Sequence, residues 1–131
     1  MRKGRKGTMM VALAALLVAI FATAAYALTA DCTGGPCYGT KQDDHLDETQ
    51  NSGDDQMYTY RGEDVLHAFQ YPGDTDKLYG GPNNDQVDAD DGDGNDLVVG
   101  GGGGDDRCWV DAGDEVKSCD GNVFRDLPIP Q

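Results

Sequence analysis

Aspartate recurs beside glycine in a nine-residue pattern between residues 80 and 109. Each copy begins with a run rich in Gly and Asp and places a large apolar residue two positions after an aspartate. The clearest copies span Gly80–Asp88, Asp91–Val99 and Gly100–Trp109. Because glycine adopts the positive φ angles of tight turns, each run can direct carbonyl oxygens and a carboxylate at one point. Ca²⁺ prefers oxygen ligands of this kind.

Weaker copies of the pattern occupy Gly39–Asp47, Gln50–Tyr58, Thr59–His67 and Gly73–Tyr79. Alternate key aspartates are separated by 20, 21, 21, 20 and 21 residues. A two-sided coil places alternate repeats above one another, so this near-constant spacing predicts coils of about 20 residues. Two stacks of aspartates follow, one of Asp44, Asp64, Asp85 and Asp106, and the other of Asp55, Asp76 and Asp96.

With these glycine-rich turns and short strands, the sequence resembles the RTX, or hemolysin-type, calcium-binding repeats. The resemblance implies an all-β fold, a parallel β-roll or β-solenoid with Ca²⁺ held between stacked turns. It also implies, by position, that repeat aspartates and glycine carbonyls are the ligands. The strongest carboxylate ligands that it implies are Asp76, Asp85, Asp96 and Asp106. Weaker ones are Asp44, Asp55 and Asp64, because their turns lack the glycine pair. The implied carbonyl ligands are those of Gly80, Gly92, Gly94 and Gly101.

The N-terminus has the features of a secretory signal peptide. Basic residues at Arg2–Lys6 precede an apolar segment at Met9–Phe21, and Ala25–Ala27 forms a small-residue cleavage site. We therefore expect residues 1–27 to form a helical signal peptide that is removed on export. An uncleaved anchor is the alternative, because Met9–Leu28 is long enough to cross a bilayer.

The rest of the chain is strongly acidic. The signal segment carries four of the ten basic residues and none of the 24 acidic ones, which leaves six against 24 and a net charge of −18. Such a surface excludes nucleic acid, whose binding depends on cationic contacts to phosphate, and an anionic membrane face. An acidic disordered tail is the alternative for a chain of this composition in the absence of metal.

Four cysteines, Cys32, Cys37, Cys108 and Cys119, lie outside the signal segment. An even number in an exported protein favours two disulfides, for which three pairings are possible. We favour Cys32–Cys37 and Cys108–Cys119, which flank the repeats and would staple both ends of a solenoid. A zinc site is the alternative, although the spacings do not match common zinc patterns. The expected organisation is an N-terminal cap at 28–38, calcium-binding repeats at 39–109, and a C-terminal cap and tail at 110–131.

The expected core is thin. One large apolar residue from each repeat should point inward, and these residues are Leu46, Met57, Leu66, Leu78, Val87, Val98 and Cys108. Seven such side chains cannot offset the cost of ordering about 100 residues. Metal ions and disulfides must therefore supply much of the cohesion, as they do in other small scaffolds.

No catalytic motif is visible. Neither His45 nor His67 belongs to an HExxH sequence, and we expect His67 on the outer face between Asp47 and Asp88. We therefore expect a secreted, non-enzymatic protein that binds Ca²⁺ as it folds, with a protein or glycan partner left open. The alternatives are a structural or adhesive surface module and, less favoured, a remnant of a larger hydrolase.

Overall fold

The computed structural model describes residues 27–48, 53–68, 71–120 and 122–125. Residues 1–26, which hold nearly all of the expected signal peptide, lie outside this part of the chain. Within it no helix is long and apolar enough to cross a membrane. The described residues form the strands β1 Thr29–Cys32, β2 Gly35–Tyr38, β3 His45–Glu48, β4 Asp55–Tyr58, β5 Val65–His67, β6 Lys77–Pro82, β7 Gln86–Ala89, β8 Leu97–Gly102, β9 Arg107–Val110, β10 Glu115–Lys117 and β11 Asn122–Arg125.

The strands alternate between two parallel sheets. The odd-numbered strands form one sheet in the order β1-β3-β5-β7-β9-β11, and the even-numbered strands form the other. We call them the odd sheet and the even sheet. Leu46 lies opposite Leu66, which lies opposite Val87, so equivalent repeat positions are in register 20 or 21 residues apart. The predicted parallel β-solenoid is therefore confirmed.

The core lies between the two sheets and is one layer of side chains deep from each sheet. All seven predicted inward residues, from Leu46 to Cys108, are fully buried at 0% exposure. They alternate with outward residues because successive side chains of a strand point to opposite faces. In strand β6, for example, Leu78 is buried between the half-exposed Lys77 and Tyr79.

Both disulfides have the favoured local pairing. Cys32 is bonded to Cys37 and joins β1 to β2 across the two sheets. Cys108 of β9 is bonded to Cys119, which follows β10. The sheets also continue into the two segments that were expected to be caps, since β1 and β2 pair with β3 and β4, and β10 and β11 pair with β8 and β9.

Aromatic side chains stack on the outer faces. Tyr38, Tyr58 and Tyr79 form a stripe on the even sheet, with ring centroids 5.4 Å and 4.8 Å apart. Trp109 stacks on Phe124 on the odd sheet at 5.2 Å. These contacts support neighbouring strands, as cross-strand aromatic pairs generally do.

The backbones of neighbouring coils lie in close contact at several glycine turns, and the contact is tightest at Gly101. Gly101 has a φ of +133°, and a Cβ atom there would lie 1.7 Å from the carbonyl oxygen of Gly81 in the coil before. No residue with a side chain fits this position. The paired glycines of the repeat therefore let successive turns stack in direct contact.

Candidate metal centre

An aspartate begins or immediately precedes most strands, and these aspartates form two columns along the solenoid. We call them the odd ladder and the even ladder, after the sheet that each turn enters. The odd ladder consists of Asp44, Asp64, Asp85 and Asp106, and the even ladder consists of Asp55, Asp76, Asp96 and Asp114.

In the odd ladder each carboxylate is bonded to the backbone of the coil before it. The N–H of Asp44 donates to Oδ1 of Asp64 at 2.7 Å, and the N–H of Asp64 donates to Oδ1 of Asp85 at 2.9 Å. Asp85 and Asp106 repeat the contact at 2.9 Å. The predicted column of these four aspartates is therefore present.

The even ladder has the same bonding. The N–H of Asp55 donates to Oδ1 of Asp76 at 2.7 Å, and the N–H of Asp76 donates to Oδ1 of Asp96 at 2.8 Å. Asp96 in turn donates to Asp114 at 3.1 Å. The sequence pattern missed Asp114, because it follows Asp96 by 18 residues rather than 20 or 21.

The second oxygen of most ladder carboxylates is buried without a hydrogen-bond donor. A buried ionised carboxylate is costly unless it is paired with donors or a cation. Native structures contain few such groups. Among the described residues, the unpartnered atoms are Oδ2 of Asp55, Asp64, Asp76, Asp85, Asp96 and Asp106.

The first aspartate of the odd ladder and the last aspartate of the even ladder are satisfied by the protein itself. Oδ2 of Asp44 accepts from the N–H of Thr40, and Oδ1 accepts from the Thr40 hydroxyl at 2.9 Å. Oδ2 of Asp114 accepts from the N–H of Asp111 at 2.7 Å. The unmet demand for positive charge therefore lies in the middle of the solenoid.

The absence of a side chain at Gly80 leaves room beside one of these oxygens. A Cβ atom at Gly80 would lie 2.7 Å from Oδ2 of Asp85 and 2.4 Å from the carbonyl oxygen of Gly100. A carboxylate oxygen and a carbonyl oxygen from the next coil thus converge beside Gly80. Both are ligand types that Ca²⁺ accepts.

Thr59 occupies the equivalent position one coil earlier. Its methyl group lies 3.0 Å from the place of a Cβ at Gly39. Its hydroxyl lies within hydrogen-bond distance of two carbonyls, those of Tyr79, at 3.2 Å, and Gly80. Burial raises the pKa of Asp64, and the hydroxyl lies near enough to that carboxylate to oppose part of the rise. The threonine therefore fills this space, while Oδ2 of Asp64 remains without a hydrogen bond of normal geometry.

A denser group of carboxylates lies on the even-ladder side. Single oxygens of Glu48, Asp74 and Asp76 all lie within 4.8 Å of one another. Glu48 is 1% exposed and lies in the inward column of the odd sheet, directly opposite Cys32. A glutamate at this inward position reaches the turn that carries Asp74.

A second group shares Asp74. Oxygens of Asp74, Asp91 and Asp93 also lie within 4.8 Å of one another. The N–H of Asp93 donates to Oδ1 of Asp91 at 3.0 Å, and the N–H of Gly73 donates to Oδ2 of Asp93. The remaining oxygens of Asp91 and Asp93, and both oxygens of Asp74, have no hydrogen-bond partner among the described residues. Five carboxylates therefore meet around Asp74, and either group could hold a metal ion.

Burial makes these carboxylates hard to ionise. It raises the pKa of Asp76 to about 8, and the charges of Asp74 and Asp96 add to the rise. The hydrogen bond from the N–H of Asp55 acts in the opposite direction and lowers this pKa, but by less. Burial likewise raises the pKa of Asp85 and of Asp96 to about 7. At neutral pH a large fraction of each of these groups is therefore protonated unless a cation lies beside it.

The glycines implied as carbonyl ligands occupy different places. Gly80 adjoins Asp85, as described, whereas the N–H of Gly101 donates to the carbonyl of Ser118 at 3.1 Å. Gly92 and Gly94 lie in the turn that carries Asp91 and Asp93. The N–H of Gly92 donates to Asp111 at 2.7 Å.

Sequence reasoning did not select Glu48, Asp74, Asp91 or Asp93. The last three lie within the copies Gly73–Tyr79 and Asp91–Val99, at turn positions other than that of the key aspartate. The unusual count of 21 aspartates against three glutamates is a general signal for carboxylates in turns, but it does not distinguish one turn position from another.

A third group of possible metal ligands lies on the outer face of the odd sheet. It consists of His45, Asp47 and His67, whose ligand atoms lie within 4.8 Å of one another. His67 lies between Asp47 and Asp88 in the register of β3, β5 and β7, as the sequence predicted.

Comparison with family models, with curated proteins and with solved structures gives no match for this chain. The solenoid of about 20-residue coils with aspartate-rich stacked turns is compatible with a β-roll. The resemblance to RTX repeats rests on the repeat residues and on this coil geometry.

Proposed function

We propose that the protein binds Ca²⁺ between successive coils and that binding completes its folding. The observation that carries the proposal is the set of six buried ladder oxygens without a donor. In water these carboxylates would be ionised at neutral pH. A cation lets them remain ionised when the coils stack, so metal binding and folding become one equilibrium.

Calcium suits the oxygens better than other common ions do. All the candidate ligands around Asp74 and Gly80 are carboxylate or carbonyl oxygens. Ca²⁺ takes six to eight of them in irregular arrangements, whereas Mg²⁺ requires near-ideal octahedral geometry and keeps several waters. Zn²⁺ prefers nitrogen and sulfur ligands in addition to oxygen.

The positions differ in their expected occupancy. The strongest candidate is the group around Asp74, where Glu48, Asp76, Asp91 and Asp93 supply additional carboxylates. On the odd-ladder side the candidates are Asp85 and Asp106, beside Gly80 and Gly100. These choices keep Asp76, Asp85 and Asp106 as ligands, and Asp96 stays a candidate through its unpartnered Oδ2. They leave Asp44 without an ion, because Thr40 already satisfies its carboxylate.

The proposed setting is extracellular. Two disulfides fit an oxidising compartment, and the predicted signal peptide would direct the chain there. Extracellular modules commonly bind Ca²⁺ with dissociation constants of about 10⁻⁴–10⁻³ M. Calcium would therefore be scarce where the chain is made and sufficient where it acts, so that folding follows export.

A binding function without catalysis is part of the proposal, and a structural or adhesive surface module remains its alternative. The alternative is favoured by the tyrosine stripe of the even sheet, where Tyr38 is 57% exposed. Fractionation of the producing cells separates the two, since an adhesive module stays with the cell surface and a free calcium-binding protein is recovered from the medium. A remnant of a larger hydrolase is the third and weakest reading.

Calorimetric titration of the purified, disulfide-bonded protein with Ca²⁺ tests the proposal. We expect saturable binding that equimolar Mg²⁺ does not reproduce. Asp74→Asn, which removes the carboxylate shared by both groups, should weaken binding about tenfold or more. Asp31→Asn, an exposed change of the same charge on the odd sheet, should have no effect. Equal binding by both variants would contradict the assignment of the ion to Asp74.

A further inference from the structure

The only two histidines of the chain meet on the outer face of the odd sheet. Nε2 of His45 lies 3.0 Å from Oδ1 of Asp47, and Nδ1 of His67 lies 2.9 Å from the same oxygen. The two rings contact each other edge to face, with centroids 5.2 Å apart. Two imidazole nitrogens and a carboxylate oxygen therefore converge between β3 and β5.

We propose that this group binds a divalent transition-metal ion of the Zn²⁺ type. Imidazole and carboxylate together are ligands for Zn²⁺ and Cu²⁺, whereas Ca²⁺ prefers oxygen alone. The group is thus chemically distinct from the oxygen sites in the turns.

The distances suit a small tetrahedral ion. Metal–ligand bonds of about 2.0–2.1 Å place the ligands of a tetrahedral Zn²⁺ about 3.3 Å apart. The two separations measured from Asp47 are 2.9 Å and 3.0 Å, and the two nitrogens lie within 4.8 Å of each other. Small rotations of the exposed rings bring the three atoms to the required positions.

The site also has an open side and a further possible ligand. The side chains of His45, Asp47 and His67 are 43%, 32% and 31% exposed, so an ion and a water molecule can reach them. Asp88 lies next to His67 in the register of β5 and β7. Water or Asp88 can therefore complete four-coordination.

The location gives the ion a structural role. Its ligands come from β3 and β5, so it would join two neighbouring coils near the N-terminal end. On the odd-ladder side of these coils, Thr40 satisfies Asp44 and the methyl group of Thr59 occupies the space beside Gly39. A nitrogen-rich site would join the two coils where the odd ladder leaves calcium least room.

The competing interpretation is a hydrogen-bonded cluster without metal. In that case each ring donates one N–H to Oδ1 of Asp47, since a carboxylate only accepts. With a metal bound, the same two nitrogens must be deprotonated and carry the lone pairs, which moves the ring protons to Nδ1 of His45 and Nε2 of His67. The two interpretations thus predict opposite tautomers.

Long-range ¹⁵N–¹H spectra of the two imidazoles, recorded during titration with Zn²⁺ at saturating Ca²⁺, test the proposal. Because the chain has no other histidine, every ring signal comes from this group. We expect both rings to shift together at one equivalent of Zn²⁺, with metal-bound shifts at Nε2 of His45 and Nδ1 of His67. Rings that do not respond to Zn²⁺, or that retain the hydrogen-bonded tautomers, would overturn the proposal.

Variants provide an independent test by calorimetry. Loss of a residue that only supports a metal ligand typically lowers affinity by about 10–100-fold, so His67→Gln and Asp47→Asn should lower Zn²⁺ affinity at least that much. The exposed Asp105→Asn serves as a charge control and should bind normally. Unchanged affinity in both site variants would assign the zinc to the acidic turns and contradict the proposal. Circular dichroism at saturating Ca²⁺ confirms that each variant is folded.

Discussion

The backbone N–H of Asp64 donates to Oδ1 of Asp85, which lies 21 residues later, at 2.9 Å. The other oxygen of Asp85 is buried and has no donor. The hydrogen bond fixes the spacing of two coils and uses only one of the two carboxylate oxygens of Asp85. Repeated along both ladders, it gives the solenoid a regular set of oxygens that only a proton or a cation can neutralise.

Replacement of Asp85 by asparagine separates the structural and the ionic role of this carboxylate. The amide oxygen of Asp85→Asn can still accept from the N–H of Asp64, but the buried charge is gone. We expect Ca²⁺ affinity to fall at least about tenfold, which corresponds to about 1.4 kcal/mol. The metal-free protein should become more stable at pH 8, because the variant has no ionisable carboxylate at position 85. Calorimetry measures the first effect, and the fraction folded in chelator, followed by circular dichroism, measures the second. A loss of stability both with and without Ca²⁺ would contradict the separation.

A side chain at Gly80 should damage both the stacking and the ion site. The added Cβ of Gly80→Ala would lie 2.4 Å from the carbonyl oxygen of Gly100 and 2.7 Å from Oδ2 of Asp85. Overpacking of this kind costs about 1–3 kcal/mol. Gly102→Ala is the matched control, since nothing lies within 4 Å of its Cβ position. Urea unfolding should show a lower free energy of unfolding for the first variant only; equal losses would indicate that the glycines act through backbone entropy alone.

Removal of the Thr59 side chain should open an additional position. In Thr59→Gly the coil that carries Asp64 acquires the glycine found at Gly80 and Gly100, and the carbonyl of Gly80 loses its hydroxyl donor. We expect the number of bound calcium ions, counted by elemental analysis after equilibrium dialysis, to rise relative to the parent. Thr59→Ser, which keeps the hydroxyl, should leave the number unchanged. The same count in all three proteins would show that this space does not determine occupancy.

The metal-free protein should lose stability as the pH rises. The folded-state pKa of Asp76, about 8, and those of Asp85 and Asp96, about 7, lie above the ordinary value of 3.8. Between pH 3.8 and these raised values the folded state binds more protons than the unfolded state. The stabilisation that the protonated carboxyls give the folded state is therefore complete below pH 3.8 and is lost as the pH rises through about 7–8. Each group changes the free energy of unfolding by up to about 1.4 kcal/mol per pH unit.

The fraction of folded protein in chelator at pH 5 and at pH 8, followed by circular dichroism, measures this loss. Because Ca²⁺ favours the ionised form of its ligands, millimolar Ca²⁺ should remove the difference or reverse it. A metal-free protein that is more stable at pH 8 than at pH 5 would show that the buried carboxyls do not control stability in this range.

The coil and its register could be predicted because they follow from spacing. Parallel stacking requires a constant number of residues per coil, and the separations of 20 and 21 between alternate aspartates supply it. The inward residues follow from the same alignment: Leu66 and Val87 lie opposite each other as expected. The local disulfides were the favoured of three pairings and are also present.

The dense carboxylate group could not be predicted in the same way. Glu48 lies one position beyond the repeat pattern, at an inward position opposite Cys32, and its burial depends on the turn that folds over it. Asp74 and Asp91 lie at turn positions of their repeat copies that the pattern does not assign to an aspartate, and the path of these turns is set by contacts between coils. Repeat spacing carries no information about such contacts, so the ladders were predicted and the group around Asp74 was not.

The central claim is that cations hold the coils together. Its most direct test is circular dichroism of the purified, disulfide-bonded protein during titration with Ca²⁺ at pH 8, with Mg²⁺ as the control. We predict a largely disordered spectrum in chelator, a cooperative gain of β-structure that is complete at millimolar Ca²⁺, and little change with Mg²⁺. A protein that is fully folded in chelator, or that stays disordered at millimolar Ca²⁺, would contradict the claim.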